Sequence, residues 1–216
     1  MVSMHEGPER RIELHRSFVE AAARRNVGSV VYLSFLGAGP EATFIHARSH
    51  GATEQMLRDA GLAWTSIRNS MYADDIPGWF DPDGVAREAV ADGRMSFSFR
   101  PELAQAIAVT LTEPGHDGIH NVTTPESVSL GELAALAADV TGKPYRYEPA
   151  TDAEWDERWR ALGRTGWELE SGSSSYEAIR NGELDVVTDD YRRLTGFEPL
   201  TIRGLLERLS DELPLA

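Results

Sequence analysis

Two histidines four residues apart, His46 and His50, stand at the start of a stretch with helical periodicity, "IHARSHGATEQMLRDAGL". Side chains at positions i and i+4 project from the same face of a helix, so these two imidazoles are expected to lie side by side. Three interpretations fit the pair: a metal site, an acid/base pair that moves protons near neutral pH, or plain surface residues. The elements around the pair decide among them.

The metal interpretation is the weakest of the three. The H-x-x-x-H spacing lacks the glutamate of H-E-x-x-H, so it supplies two ligands and no base. His116 and His120 repeat the spacing, but "HDGIH" is typical of a turn that leads into a strand, and we assign both to the surface. The sequence therefore predicts no metal site.

The region around the pair alternates helices and strands. Apolar periodicity predicts a helix over 8–25 and a second helix over 46–60, which Gly61 ends. The near-continuous apolar run "SVVYLSF" at 29–35 predicts a strand buried on both faces, and "AWTSIR" at 63–68 predicts the next strand. Helix, strand, helix and strand with short links indicate βαβ units and a parallel sheet.

The rest of the chain continues this pattern and then becomes helix-rich. The predicted elements are a strand at 94–99, a helix at 101–113, a strand at 118–123, an edge strand at 144–149, helices opened by capping boxes at Ser129/Glu132 and Thr151/Glu154, and a terminal helix capped by Thr201. We predict an α/β protein with a parallel-sheet domain over 1–142 and a small helix-rich lobe over 143–216 packed on it.

Charge and composition exclude several classes of protein. The 216 residues carry a formal net charge of −14 with a single lysine, which disfavours nucleic-acid binding. There is no cysteine, hence no disulfide, thiolate site or cysteine nucleophile. No apolar run reaches the ~18 residues of a membrane span, and the first residues do not follow the order of a signal peptide. We predict a cytoplasmic protein.

The segment "LGAGPEA" directly after the strand at 29–35 matches the dinucleotide-binding pattern G-x-G-x-x-A through Gly37, Gly39 and Ala42. A pyrophosphate needs a helix N-terminus at this turn, but Pro40 and further residues intervene before the helix. The next strand ends in Arg68 and Asn69, without the acidic residue that binds a ribose. We therefore interpret the segment as a strand-to-helix loop.

Four stretches of the chain resemble a known family. "VGSVVYLSFLGA…HARSHGATEQMLRDAGLAWTSIRNSMYADDIP" and "DGRMSFSFRPELAQAIAVTLTEPGHDGIHNVT" are similar to the NmrA-like, atypical branch of the short-chain dehydrogenases/reductases. "SVSLGELAALAADVTGKPYRYEP" and "LTGFEPLTIRGLLERL" look like the substrate-side lobe of that family. The resemblance implies a Rossmann fold and binding of NADP or NAD, with no means of choosing between the two.

The resemblance also implies that the N-terminal strands and glycine-rich turn of the family are missing, because "MVSM" looks like the end of the fourth strand. We therefore expect a partial sheet with an open edge, which invites a homodimer or aggregation. We also expect the 216-residue chain to bind NAD(P)H poorly or not at all.

Members of the larger superfamily use a serine and a Y-x-x-x-K pair as a proton relay. By resemblance, His46 falls at the tyrosine position and His50 at the lysine position. Ser34 falls at or beside the serine. An imidazole is chemically adequate as an acid, so these three are the candidate catalytic residues, with satisfied cleft histidines as the alternative.

The resemblance places further residues near the cofactor and substrate. It implies cofactor contacts by Ser3, Phe35, Asn69 and Met71, and a substrate contact by Tyr72. The alternative for Tyr72 is an aromatic ring packed under a loop. The tryptophans at 155, 159 and 167 are either core of the lobe or a hydrophobic lid over an aromatic substrate.

These observations lead to one preferred function and two alternatives. The preferred function is an NAD(P)H-dependent oxidoreductase that acts on a small quinone-like or conjugated carbonyl substrate. The first alternative is a regulator that senses dinucleotide without turnover and acts through a protein partner. The second is a truncated remnant that binds no cofactor and only self-associates.

Overall fold

The computed structural model describes residues 6–113 and 115–215. The helices within these ranges are α1 (Pro8–Arg24), α2 (Ile45–Asp59), α3 (Arg100–Thr112), α4 (Leu130–Thr141), α5 (Asp152–Ala161), α6 (Trp167–Arg180), α7 (Asp190–Thr195) and α8 (Ile202–Arg208), with 3₁₀ helices at Ala73–Trp79 and Ser210–Glu212. The strands are β1 (Val30–Phe35), β2 (Trp64–Asn69), β3 (Met71–Tyr72), β4 (Val85–Ala86), β5 (Arg94–Met95), β6 (Phe97–Ser98), β7 (Gly118–Val122), β8 (Val128–Ser129) and β9 (Arg146–Tyr147).

Three strands form the central sheet in the order β1-β2-β7, and both pairings are parallel. Phe35 lies opposite Asn69 and Asn69 lies opposite Val122, so the carboxyl ends of the three strands meet at one edge. Successive side chains of a strand point to opposite faces of the sheet. Ile67 packs in one cluster with residues of α3 and α7, whereas Ser66 bonds to α2. Helices thus cover both faces, which confirms the predicted α/β class.

The first four predicted elements correspond to α1, β1, α2 and β2, with ends that differ by at most a residue. The strand predicted at 94–99 is divided, because its two halves pair with different partners. β5 pairs antiparallel with β8, and β6 pairs parallel with β3. The segment at 144–149 contains a short strand, β9, which pairs with β4.

Helix α6 was not predicted, because its sequence "WELESGSSSYEAIR" holds a glycine and four serines, which are poor helix formers. Packing of α6 against α5 supplies the stabilisation that the helix propensity of this sequence lacks. A Cβ atom at Gly172 would lie 2.1 Å from the indole of Trp155. The glycine is therefore needed for α5 and α6 to approach each other, and Trp155 is 1% exposed between them.

The largest cluster of buried apolar residues joins the range 1–142 to the range 143–216. It includes Phe35 and Phe97 from the first range and Ile179, Ile202 and Leu205 from the second. The boundary at residue 142 stays a prediction, and the helices beyond it pack directly on the sheet region. Among the described helices, none has the length and apolar character needed to cross a bilayer.

The two glycines of "LGAGPEA" have different structural roles: Gly37 forms a tight turn, and Gly39 allows α2 to approach closely. Gly37 has a φ of +68°, which favours glycine, and α2 begins only at Ile45. A Cβ atom at Gly51 of α2 would lie 2.6 Å from the Cα atom of Gly39. The prediction that no helix begins at the second glycine is confirmed.

The carboxylate of Glu54 anchors α2 to two strands of the sheet. It accepts hydrogen bonds from Ser34 Oγ of β1 at 2.7 Å and from Ser66 Oγ of β2 at 2.7 Å. The guanidinium of Arg68 donates to it through Nε at 2.9 Å and forms a second bond through Nη2. The Glu54 side chain is 4% exposed and that of Arg68 is 14% exposed, so this is a buried, fully hydrogen-bonded ion pair.

We expect Glu54→Gln to destabilise the protein by about 3–5 kcal/mol, because it leaves the Arg68 charge buried without a partner. The measurement is the free energy of unfolding in urea. Glu20→Gln, which removes a surface ion pair with Arg24, is the matched control and should cost less than about 1 kcal/mol. Equal losses in the two variants would contradict the anchoring role of Glu54.

Candidate active site

The predicted histidines lie on the first two turns of α2, close to the carboxyl edge of the sheet. His46 is 9% exposed. Its ring packs edge-to-face against Phe44, with centroids 5.4 Å apart, and against Trp167 of α6 at 5.7 Å. Its Nδ1 atom is buried and has no hydrogen-bond partner among the described residues. The His46 imidazole is therefore held by aromatic packing.

His50 is held by two polar contacts, one at each ring nitrogen. Its Nε2 atom lies 3.2 Å from Nη1 of Arg11, and its Nδ1 atom lies 2.6 Å from the hydroxyl of Tyr32. Arginine can only donate, so Nε2 must accept and the proton of the neutral ring lies on Nδ1. His50 thus donates to the Tyr32 oxygen.

A third histidine joins the same cluster from α1. Nδ1 of His15 lies 2.7 Å from the hydroxyl of Thr53, and Thr53 in turn donates to the carbonyl oxygen of Ser49 at 2.9 Å. Because the Thr53 proton is directed to Ser49, His15 is the donor in its contact with Thr53. The His15 ring also packs edge-to-face on Tyr32, with centroids 5.6 Å apart.

The surroundings keep the three histidines neutral. Burial, together with the positive charge of Arg11, lowers the pKa of His15 to about 4 and that of His46 to about 4. Burial followed by the charge of Arg11 also lowers the pKa of His50 well below its usual value. At neutral pH these rings are imidazoles, able to orient or hydrogen-bond a ligand but not to act as imidazolium acids.

The other catalytic candidate, Ser34, lies inside the interface between β1 and α2. It is fully buried and its hydroxyl donates to Glu54, which favours a packing role over a relay role. Its catalytic role, like those of His46 and His50, stays a prediction. Ser3 lies outside the described residues.

The remaining predicted contacts follow the carboxyl ends of β1 and β2. Phe35 is buried against Phe44, and Asn69 is buried with its amide donating to the carbonyl oxygen of Ser70. Met71 and Tyr72 are half-buried in β3, beside the end of β2. These four residues stay predicted ligand contacts.

Tyr72 is held by a charged side chain. The guanidinium of Arg100 lies over its ring at 4.3 Å, and Arg100 also bonds to Asp75. Burial raises the pKa of the Tyr72 hydroxyl, so the phenol is neutral at neutral pH.

Sequence reasoning missed Arg11 and Tyr32, the two partners of His50. Arg11 and His15 are four residues apart on α1, so they share a helix face, as His46 and His50 do on α2. That repeated spacing was the available signal. The contact between Arg11 of α1 and His50 of α2 joins residues 39 positions apart, and it depends on how the two helices pack.

Metal ligands and cavities were the two other features of the described residues that could indicate a binding site. Within the described residues, no group of three or more His, Asp or Glu side chains is arranged to hold a metal ion. A cavity of about 690 Å³ lies beyond the carboxyl end of β7, lined by residues that include Asn121, Thr188, Asp190 and Arg193. This cavity is separate from the histidine cluster on α2.

The fold and the site define a Rossmann-like α/β protein whose C-terminal helices share a core with the sheet region. No protein-family model matches the chain. It is 28% identical to an NmrA-like family domain-containing oxidoreductase of Aspergillus flavus, over 92% of this chain and 67% of that protein.

Solved structures show the same likeness. The NADPH-dependent quinone oxidoreductase of Escherichia coli, in complex with NADPH, is 25% identical with a TM-score of 0.85, over 96% of this chain and 74% of that one. The triphenylmethane reductase of Citrobacter sp., in complex with NADP(H), is 26% identical with a TM-score of 0.82, over 98% and 74%. This chain is therefore similar in sequence and fold to NmrA-like and related Rossmann-fold reductases, in line with the resemblance noted in its sequence.

The lowered histidine pKa values predict acid sensitivity. The neutral rings contribute full stability above the unfolded pKa of about 6.5, and this stability is lost as the pH falls toward about 4. Each shift corresponds to at most about 3 kcal/mol. We expect the urea unfolding free energy to fall steeply between pH 6.5 and 4.5, and less steeply in His46→Gln.

The matched control is His116→Gln, which leaves the cluster on α1 and α2 intact and should keep the slope of the wild-type protein. The same slope in His46→Gln as in the wild type would refute the assignment of His46 to the acid transition.

Proposed function

We propose that this protein is an NAD(P)H-dependent oxidoreductase that reduces a small, planar, quinone-like or conjugated carbonyl substrate. The observation that carries the proposal is a cluster of rings near the carboxyl edge of the sheet. In it, the neutral imidazole of His46 packs against the aromatic rings of Phe44 and Trp167. Ligands of open α/β folds bind at this edge. The likeness to NmrA-like and quinone reductases supports the same activity.

The described residues fit the nicotinamide end of a dinucleotide better than its pyrophosphate. Phe35, Asn69 and Met71, at and just beyond the carboxyl ends of β1 and β2, would hold the nicotinamide. The turn at Gly37 is followed by a helix only at Ile45, so it offers no helix N-terminus to a pyrophosphate. When bound, the cofactor supplies the hydride.

The protein's own contribution is to orient the substrate and exclude water. His46 presents an unpartnered ring nitrogen from an aromatic surrounding, and a neutral imidazole can donate a hydrogen bond to a substrate oxygen. Because the pKa of His46 is lowered to about 4, the proton that completes the reduction comes from solvent rather than from an imidazolium.

The test is a titration with NADPH and NADH, followed by oxidation of the bound cofactor by 2-methyl-1,4-naphthoquinone. We expect the chain to oxidise NAD(P)H and to bind it more weakly than low micromolar, because the turn at Gly37 offers a pyrophosphate no helix N-terminus. His46→Gln should lower the rate about tenfold or more, as expected for loss of one positioned donor.

Two results would contradict this activity. Binding of dinucleotide without turnover would favour a cofactor-sensing regulator. Absence of binding would favour a protein that binds no cofactor and only self-associates. The net charge of −14 supports a small-molecule substrate over a nucleic acid.

We further infer that two copies of the chain pair through β1. Among the described strands, β1 pairs only with β2, and an open edge of an apolar strand is a template for a second chain. Leu33 of β1 is 39% exposed. We expect sedimentation to give a dimer that Leu33→Lys converts to a monomer, whereas Leu111→Lys, on the exposed face of α3, leaves the dimer intact. A monomeric wild-type chain would refute this pairing.

A further inference from the structure

Two buried polar atoms near the candidate site have no hydrogen-bond partner among the described residues. They are Nε of Arg11 and Nδ1 of His46. Buried polar groups in folded proteins are almost always paired, so each exception calls for an explanation such as a ligand or a water. Arg11 contacts His50 at 3.2 Å, and His50 lies one turn after His46 on α2, so both atoms lie in the same region between α1 and α2.

The first turns of two helices and one tryptophan bring these atoms together. Arg11 stands one turn after Gly7 on α1, and His50 stands one turn after His46 on α2. Arg11 bonds to His50, and the indole of Trp167 packs on His46 at the other end. A Cβ atom at Gly7 would lie 3.1 Å from the same indole, so Trp167 closes the gap between the two helices.

Arg11 takes part in no ion pair within residues 6–113 and 115–215, although the protein has an excess of acidic groups. It contacts the neutral ring of His50, which in turn contacts the phenol of Tyr32. A half-buried cation without a counter-ion is costly, and a bound anion would offset this cost.

We propose that Arg11 and His46 form the binding site for an anionic oxygen on an aromatic substrate, with Phe44 and Trp167 contacting its ring. The substrate class is therefore a planar aromatic that bears a carboxylate, sulfonate or phenolate. Naming this ligand a substrate rests on the proposed function, whereas the binding site itself does not. Arginine suits the role because its planar donors match such groups.

The test compares 1,4-naphthoquinone-2-sulfonate with uncharged 1,4-naphthoquinone, both without NADPH. Binding is measured by quenching of tryptophan fluorescence, and the absence of cysteine prevents addition of these quinones to thiols. Arg11→Gln should weaken binding of the sulfonate about tenfold or more, as loss of a charge-assisted hydrogen bond predicts. Binding of the uncharged quinone should change less than twofold, and Arg11→Lys should recover part of the loss.

The control is Arg10→Gln, which removes the same charge from the exposed face of α1, where Arg10 pairs with Glu13. It should leave both affinities unchanged. Equal effects of Arg10→Gln and Arg11→Gln would overturn the proposal in favour of general electrostatics. Equal loss of both quinones in Arg11→Gln would overturn it in favour of a structural role, which thermal unfolding of the variant would also report.

The same variants distinguish a substrate anion from a phosphate of the cofactor. If Arg11→Gln weakens binding of NADPH and leaves the sulfonate unaffected, the anion belongs to the cofactor and the proposal is wrong. Tight sulfonate binding by a protein that never oxidises NADPH would instead reject the oxidoreductase function and keep the anion site. Failure of the wild-type protein to bind the sulfonate would reject the site.

Discussion

The buried carboxylate of Glu54 fixes the helix on which the candidate site is built. It binds both β1 and β2 through Ser34 and Ser66 and neutralises Arg68 between them. His50 and His46 lie one and two turns before Glu54, on the same face of α2. The interaction that seats α2 on the sheet therefore also sets the height and rotation of both imidazoles at the carboxyl edge.

The electrostatics of the site follow from one cation placed among neutral rings. Arg11 enters from α1, directs the proton of His50 to Tyr32 and, together with burial, lowers the pKa of the nearby histidines. A lysine–tyrosine relay would place a charged and an acidic group at these positions of α2. Here the charge comes from a different helix, and the lowered pKa values of the histidines favour neutral rings that can form hydrogen bonds.

Helices beyond residue 142 contribute to the same site through their packing. Gly172 lets α6 approach Trp155, and α6 begins with Trp167, which touches His46 and faces Gly7. The tryptophans thus divide between two roles that the sequence left open. Trp155 is buried between α5 and α6, whereas Trp167 is half-buried and lines the candidate site.

The sequence by itself determined the local elements and their order. Apolar periodicity and capping residues are local properties, so they placed α1, β1, α2 and β2 and the capping boxes at Ser129 and Thr151. The parallel connection then fixed which strand ends meet at one edge. Resemblance added a likeness to NmrA-like proteins and the candidate residues at that edge.

Tertiary structure decided the chemistry of the site. The contact between Arg11 and His50 joins residues 39 positions apart, and nothing in either local pattern encodes it. Likewise, α6 forms against its weak propensity because Trp155 packs on Gly172, and 94–99 is divided by pairing with two different partners. Burial and proximity to a charge set the protonation of a histidine, and both quantities exist only once the helices have packed.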